Sequence, residues 1–219
     1  MVVTIDGYAG SGKTSASHTL AEALGFELLN TGAMYRAAAL ELQDRGLVIE
    51  TIAVDDPRVA EYAATFVFDM DGGVKLGGVD FTGRVRERGS SAAASLVGTF
   101  PAVRERLKSE QRRLAAGKNI VCEGRDQGTA VFPEAPLKFF FHATAEVRAE
   151  RRVAQLLKDG EPAEYAEVLQ KIVARDLQDE GRALDPLRRA DDAIDIDTTM
   201  ASEADVLALM LAEAARVMA

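Results

Sequence analysis

Residues 7–14, Gly7-Tyr8-Ala9-Gly10-Ser11-Gly12-Lys13-Thr14, fit the spacing G-x-x-x-x-G-K-[ST]. The run before them, Val2-Val3-Thr4-Ile5, is short and β-branched and ends at Asp6-Gly7, as a buried strand entering a loop does. After them, Thr14 to Leu24 carries Leu20, Ala21 and Leu24 at helical spacing, with Gly25 where a C-cap belongs. In this strand–turn–helix context the motif has a mechanism. Glycines let consecutive backbone N–H groups curl around phosphate oxygens, and the helix N-terminus adds a positive end. Gly7, Ala9, Gly10, Ser11, Gly12, Lys13 and Thr14 are therefore expected to cradle nucleotide phosphates. Lys13 would reach the β- and γ-phosphates, and the Thr14 hydroxyl would ligate Mg²⁺. The competing reading is a glycine-rich turn capped by Thr14.

Outward from this loop, strand and helix patterns alternate. Strands are expected at 26–29, 119–123, 138–142 and 193–197, and helices at 32–46, 102–116, 145–158, 163–180 and 202–217. A helix is expected to open at Asp55-Asp56-Pro57, and another to cover 84–96. With the first strand this makes five short apolar strands separated by helices, hence an α/β fold with a parallel sheet flanked by helices. One segment breaks the pattern. Thr65-Phe66-Val67-Phe68, a turn at Asp71-Gly72-Gly73 and Val74-Lys75-Leu76 read as an antiparallel ribbon, the mark of an insertion.

The chain has 219 residues, room for one globular body with an inserted lobe. Its charge of −9 argues against wrapping a nucleic-acid polymer. The charge is uneven: residues 104–189 hold 17 basic and 15 acidic groups, and the remainder holds 9 and 20. An arginine-rich stretch in an acidic chain suits a compact anion. For most of those arginines, though, a solvated helix face is the plainer reading. The single cysteine, Cys122, excludes an intrachain disulfide and fits a reducing compartment. It is expected to be a buried strand residue. No apolar run approaches the ~20 residues of a membrane span, and Met1 to Ile5 lacks a basic leader, so a cytoplasmic location is expected.

Beyond the loop, the chain resembles the bacterial cytidylate (CMP) kinases, a P-loop nucleoside monophosphate kinase family. The resemblance is carried by Ile5-Asp6-Gly7, by Asn30-Thr31-Gly32-Ala33-Met34-Tyr35-Arg36 and by Glu123-Gly124-Arg125-Asp126-Gln127-Gly128-Thr129 with Val131-Phe132-Pro133. Arg175-Asp176, Asp179 and Arg182 leading to Pro186-Leu187, then Asp192-Ala193 and Ile196-Asp197-Thr198-Thr199, continue it in the family's order. It implies a P-loop kinase with core segments 1–61, 99–151 and 183–219, a monophosphate-binding insert at 62–98 and a lid at 152–182. The implied reaction is transfer from ATP to CMP or dCMP with Mg²⁺, by a protein expected to be monomeric.

The resemblance also implies roles. Lys13, Arg125 and Arg182 would be catalytic, and Arg36, Arg125 and Arg182 would hold the acceptor phosphate. Arg175 and Asp179 would serve as ribose and lid contacts, four residues apart on one helix face. Ser95, Arg104 and Asp126 would read cytosine, Thr31 would lie near the acceptor, and Arg151 would face the ATP. Glu123, at a strand end, would hold Mg²⁺ through water. Arginine suits such a site because its planar, permanently charged fork matches phosphate oxygens. Departures from the family pattern are Tyr8 for proline, Asn30 for aspartate, Gln127 for an apolar residue and Asp185 for a small one. Asn30 is expected to weaken a polar contact. Two alternatives stay open: a P-loop kinase for another small acceptor, and a non-catalytic nucleotide-binding module.

Overall fold

The computed structural model describes residues 1–87 and 89–218; Arg88, inside the helix expected over 84–96, and Ala219 lie outside the described residues. Strands β1 (Val2–Gly7), β2 (Glu27–Asn30), β6 (Ile120–Glu123), β7 (Leu137–His142) and β8 (Ile194–Asp197) form a five-stranded parallel sheet in the order β2-β6-β1-β7-β8. The first strand lies centrally, with Val3 opposite Val121 on one side and Ile5 opposite Phe139 on the other. The phosphate-loop motif therefore emerges from the C-terminal end of the middle strand, where open α/β sheets place their ligands.

Contacts divide the chain into two units, Met1–Leu28 with Lys118–Ala219, and Leu29–Gly117. In the first unit, α1 (Lys13–Leu24) and α8 (Glu203–Met218) cover one sheet face. Val3, Ile5, Leu20, Val121, Phe139, Phe141, Ile196 and Met210 make the core there. Each such side chain contributes roughly 1.5–3 kcal/mol on full burial. Gly25 closes α1 in the left-handed conformation (φ 66°). On the other face Phe140 packs with Leu187, Ala193 and Tyr8. Helices α6 (Ala145–Lys158) and α7 (Tyr165–Glu180) pack on each other through Ala149, Val168 and Ile172. Cys122 on β6 is wholly buried, and burial pushes its thiol far up.

The second unit holds α2 (Thr31–Asp44), α3 (Pro57–Ala64), a small antiparallel sheet of β3 (Phe68–Asp69), β4 (Lys75–Leu76) and β5 (Val79–Asp80), α4 (Ser90–Val97) and α5 (Pro101–Ala115). The ribbon has a third strand that the sequence did not suggest, because two residues, Val79 and Asp80, carry no legible alternation. The helix expected over 84–96 is two pieces: a 3₁₀ turn, Arg84–Arg86, and α4, entered through Gly89 at φ 88°. The Ser90 hydroxyl donates to the carbonyls of Val85 and Glu87 across the break.

The basic run of α5 is not simply a solvated face. Arg104 is fully buried. Arg106 donates to Phe66 O and Arg113 to Phe68 O (2.6 Å for Arg113), while the Glu110 carboxylate accepts from Phe68 N–H at 2.8 Å. The helix thus closes the backbone groups at the ribbon's edge. Among the described residues, no helix is long and apolar enough to cross a membrane.

Candidate active site

Three glycines in the loop have positive φ: Gly7 (138°), Gly10 (78°) and Gly12 (87°). A Cβ on Gly7 would stand 1.9 Å from Phe141 O, so the chain can leave the sheet here only without a side chain. Gly12 is the N-cap of α1 and no side chain caps that end, which leaves the first-turn amides for an anion. Lys13 is buried within the loop, its ammonium donating to Tyr8 O and approaching the Ser11 hydroxyl at 3.5 Å. Burial, and then the guanidinium groups of Arg125 and Arg175, push its pKa well below the ordinary lysine value, against the pull of Glu123 and Asp6. Three cations share one partly dry region, and a polyanion entering it would relieve their repulsion.

Behind the loop, the Thr14 hydroxyl donates to Glu123 Oε1 at 3.1 Å and the Ser17 hydroxyl to Glu123 Oε2 at 3.4 Å. Glu123 is buried at the end of β6. The expected hydroxyl–carboxylate pair is therefore assembled, and both members are hard oxygen donors of the kind Mg²⁺ takes.

One strand over, Asp6 accepts from Gln127 N–H (2.8 Å, Oδ1) and Gly128 N–H (2.7 Å, Oδ2). These amides open a one-turn π-helix, Gln127–Val131, for which the sequence has no periodic signal. Gly128 allows the close approach: a Cβ there would meet Thr4 Oγ1 at 3.0 Å and Lys138 Cδ at 3.1 Å. Burial lifts Asp6 to about 7, despite the two amides that favour its charged form. By fixing this turn, Asp6 also fixes the adjoining Arg125 and buried Asp126.

The expected set on α7 does come together. Asp179, buried, accepts from Arg125 Nε at 3.0 Å, lies 3.9 Å from Arg175 Nε, and its main-chain carbonyl accepts from Arg182 Nε at 3.3 Å. Burial alone would raise its pKa; Arg125, Arg175 and Arg182 overcome this and hold it below the usual carboxylate value. The same carbonyl accepts from Leu187 N–H at 2.8 Å. The turn leading there passes through Asp185 at φ 47°, among the described residues the single non-glycine with positive φ. Aspartate tolerates that region better than most residues, which gives this departure from the family pattern a physical reason.

Arg151 points elsewhere. Its guanidinium donates to Thr198 Oγ1 (3.1 Å) and Thr198 O (2.6 Å), and the Thr198 hydroxyl in turn donates to Ser11 O at 3.0 Å. It braces the loop at one remove.

In the second unit, Thr31 opens α2 and is buried, and Arg36 lies one turn on. Gly32 sits beneath the Arg36 guanidinium: a Cβ there would be 3.3 Å from both Arg36 Nη1 and Asn30 Oδ1. Asn30 caps α2, its Oδ1 accepting from Ala33 N–H at 2.9 Å. Asparagine caps as well as aspartate, so the exchange preserves this helix start. Arg104 donates to Gly98 O at 3.2 Å, with its guanidinium carbon 6.0 Å from the Tyr35 ring centre. Ser95 lies half-buried on α4.

Read from the sequence, Asp6 has no role beyond ending the first strand, and Arg148, buried behind the loop, has none at all. Asp6 has its partners more than a hundred residues away, with no local spacing to betray them.

A loop of this form at the end of the middle strand of this sheet, with its buried lysine and its hydroxyl–carboxylate pair, makes the chain a P-loop nucleotide-binding protein. A gluconokinase from Sinorhizobium meliloti shares the fold at a TM-score of 0.50 and 17% identity, over 99% of this chain and 92% of that one. A protein from Eubacterium ventriosum shares it at 0.55 and 12%, over 97% of each. Within that class the chain belongs to the cytidylate kinase family, whose model, Cytidylate kinase, matches residues 3–216. The cytidylate kinase of Caldanaerobacter subterraneus subsp. tengcongensis is 42% identical over 206 residues, 94% of this chain and 90% of its own. That of Actinobacillus succinogenes is 41% identical over 222 residues, 97% of each.

Proposed function

We propose that the chain transfers the γ-phosphate of ATP to CMP or dCMP, giving ADP and CDP or dCDP. The observation that carries this is the gathering of Arg125, Arg175 and Arg182 around Asp179, with Arg125 and Arg175 close enough to depress the Lys13 ammonium. Phosphoryl transfer is mostly positioning and neutralisation of charge, and this arrangement supplies both. The loop amides and Lys13 hold the donor phosphates. Arg125 and Arg182 neutralise the transferring group and, with Arg36, the acceptor phosphate. Asp179 keeps the arginine forks aligned and, with Arg175, meets the acceptor's ribose.

Ser95, Arg104 and Asp126 are assigned to the base. A carboxylate accepts from the exocyclic amine of cytosine, and serine or arginine donates to its carbonyl or ring nitrogen. Thr31 adds a hydroxyl near the acceptor. Arg151 serves the donor side through Thr198. Thr14, and Glu123 through water, would hold Mg²⁺, which when bound neutralises the bridging phosphate charge.

Residues 152–182 act as the lid and 62–98 as the acceptor insert, in a monomer of the cytoplasm, where ATP is abundant and Cys122 stays reduced. Ordering an arginine-rich lid only over both substrates excludes water, so hydrolysis of ATP without acceptor is slow.

ADP release measured with CMP, dCMP, UMP, AMP and shikimate tests the reading. CMP and dCMP are expected to lead, and Arg182→Ala to lower their turnover about a hundredfold or more. Preference for another acceptor, or a high rate with none, would overturn it.

A further inference from the structure

The α7 helix presents two adjacent faces, because Asp176 and Glu180 follow Arg175 and Asp179 by one residue each. The first pair meets Arg125, as described. The second turns toward the phosphate loop, where Arg148 of α6 waits. Arg148 is buried and its guanidinium makes four hydrogen bonds: Nε donates to Ala143 O (2.9 Å), Nη1 to Ala9 O (3.2 Å) and Asp176 Oδ1 (3.1 Å), and Nη2 to Asp176 Oδ2 (2.7 Å). One guanidinium thus joins the loop, the β7–α6 turn and α7.

Two further contacts strengthen the junction. Gly10 lies so close that a Cβ there would be 3.3 Å from Arg148 Cβ. The Arg148 guanidinium carbon lies 5.1 Å from the Tyr8 ring centre, and the Tyr8 hydroxyl donates to Glu180 Oε1 at 2.6 Å. Tyr8 is the position where the family commonly carries proline, which could make neither contact.

We propose that Arg148 is a positioning residue for the transfer: through Ala9 and Asp176 it sets the register between the phosphate loop and the face of α7 that carries Arg175 and Asp179, with Arg182 just past the helix end. Tyr8, with Glu180, is a second tie at the end of the same helix. The proposal rests on the assignment of those three residues to the acceptor side. A lysine in place of Arg148 keeps the charge but cannot make a fork across Asp176 while also holding Ala9.

The test compares Arg148→Lys, Asp176→Asn and Tyr8→Phe with Asp192→Asn. The last breaks the Lys138–Asp192 pair (2.8 Å), which has no hydrogen bond to Arg148, Asp176 or Tyr8. For Arg148→Lys and Asp176→Asn, kcat with CMP is expected to fall about tenfold or more. The KM for ATP should stay within about twofold. The fraction of ADP formed by hydrolysis rather than transfer should rise. Tyr8→Phe shifts the same quantities in the same direction by a smaller factor, and Asp192→Asn shifts none. If the junction variants lose thermal stability but keep wild-type kcat and the wild-type hydrolysis fraction, Arg148 is only structural and the proposal fails.

Amide exchange over 165–182 in the unliganded chain reads the tie without turnover. Faster exchange there in Asp176→Asn, and not in Asp192→Asn, supports it; equal exchange overturns it. Were the unaltered chain inert toward CMP, the assigned function would fail on that assay while the exchange comparison still decided the junction.

Discussion

Asp179 and Asp6 are both buried carboxylates, yet their surroundings push them in opposite directions. Arg125, Arg175 and Arg182 hold Asp179 down, so it releases its proton more readily in the fold than in the unfolded chain. Its stabilising share is present above the ordinary carboxylate range and is lost as pH falls through the lowered folded value. Asp179→Asn is expected to remove that acid-side loss in denaturant melts and to raise the KM for CMP about tenfold. Asp6, at about 7, binds its proton more tightly in the fold. Its share is fully present below the ordinary range and fades as pH rises to about 7. Melts of Asp6→Asn between about pH 4 and about pH 8 should show a lower baseline without this decline; an unchanged slope would assign the decline to other groups. Lys13 and Thr14 were legible in the sequence because the loop's chemistry is packed into eight consecutive residues. Asp6 and Arg148 were not, because a carboxylate bonded to a turn over a hundred residues away, or an arginine bonded to an aspartate on another helix, leaves no spacing to read.

Among elements, α5 best separates pattern from role. Its basic run looks like a solvated stripe, yet Glu110, Arg106 and Arg113 close the backbone of Phe66 and Phe68. Glu110→Ala would strand the Phe68 amide and remove the carboxylate that faces Arg106 and Arg113, and should cost about 1–3 kcal/mol. Arg112→Ala, exposed on the same helix, should stay within about 0.5 kcal/mol in the same thermal melts. The long helices α1, α2, α6 and α8 were readable from helical spacing and from punctuation such as the Gly25 cap; that Asn30 caps α2 was not. Strand β5 and the turn at Gln127–Val131 were not: the first is too short to alternate, and the second is held in shape by Asp6 rather than by its own sequence.

At the scale of the molecule, the class of fold could be read from strands alternating with helices, whereas the strand order could not. β1 and β2 are consecutive in the chain but have β6 between them, an order that no local spacing carries. The uneven charge also takes on a meaning: within the arginine-rich stretch, some groups gather at Asp179, some hold the ribbon, and Arg148 ties helix to loop.

Cys122 carries a practical consequence. It is the chain's one thiol, wholly buried on β6 and pushed far above its usual ionisation. The native protein is therefore a silent background for site-directed labelling: a dye-bearing cysteine introduced on α7 would react alone, without first deleting a native one. Maleimide or disulfide reagents at about pH 8 should leave the folded chain unmodified and react once per molecule in denaturant. The same residue then serves as a clock for opening of the central sheet.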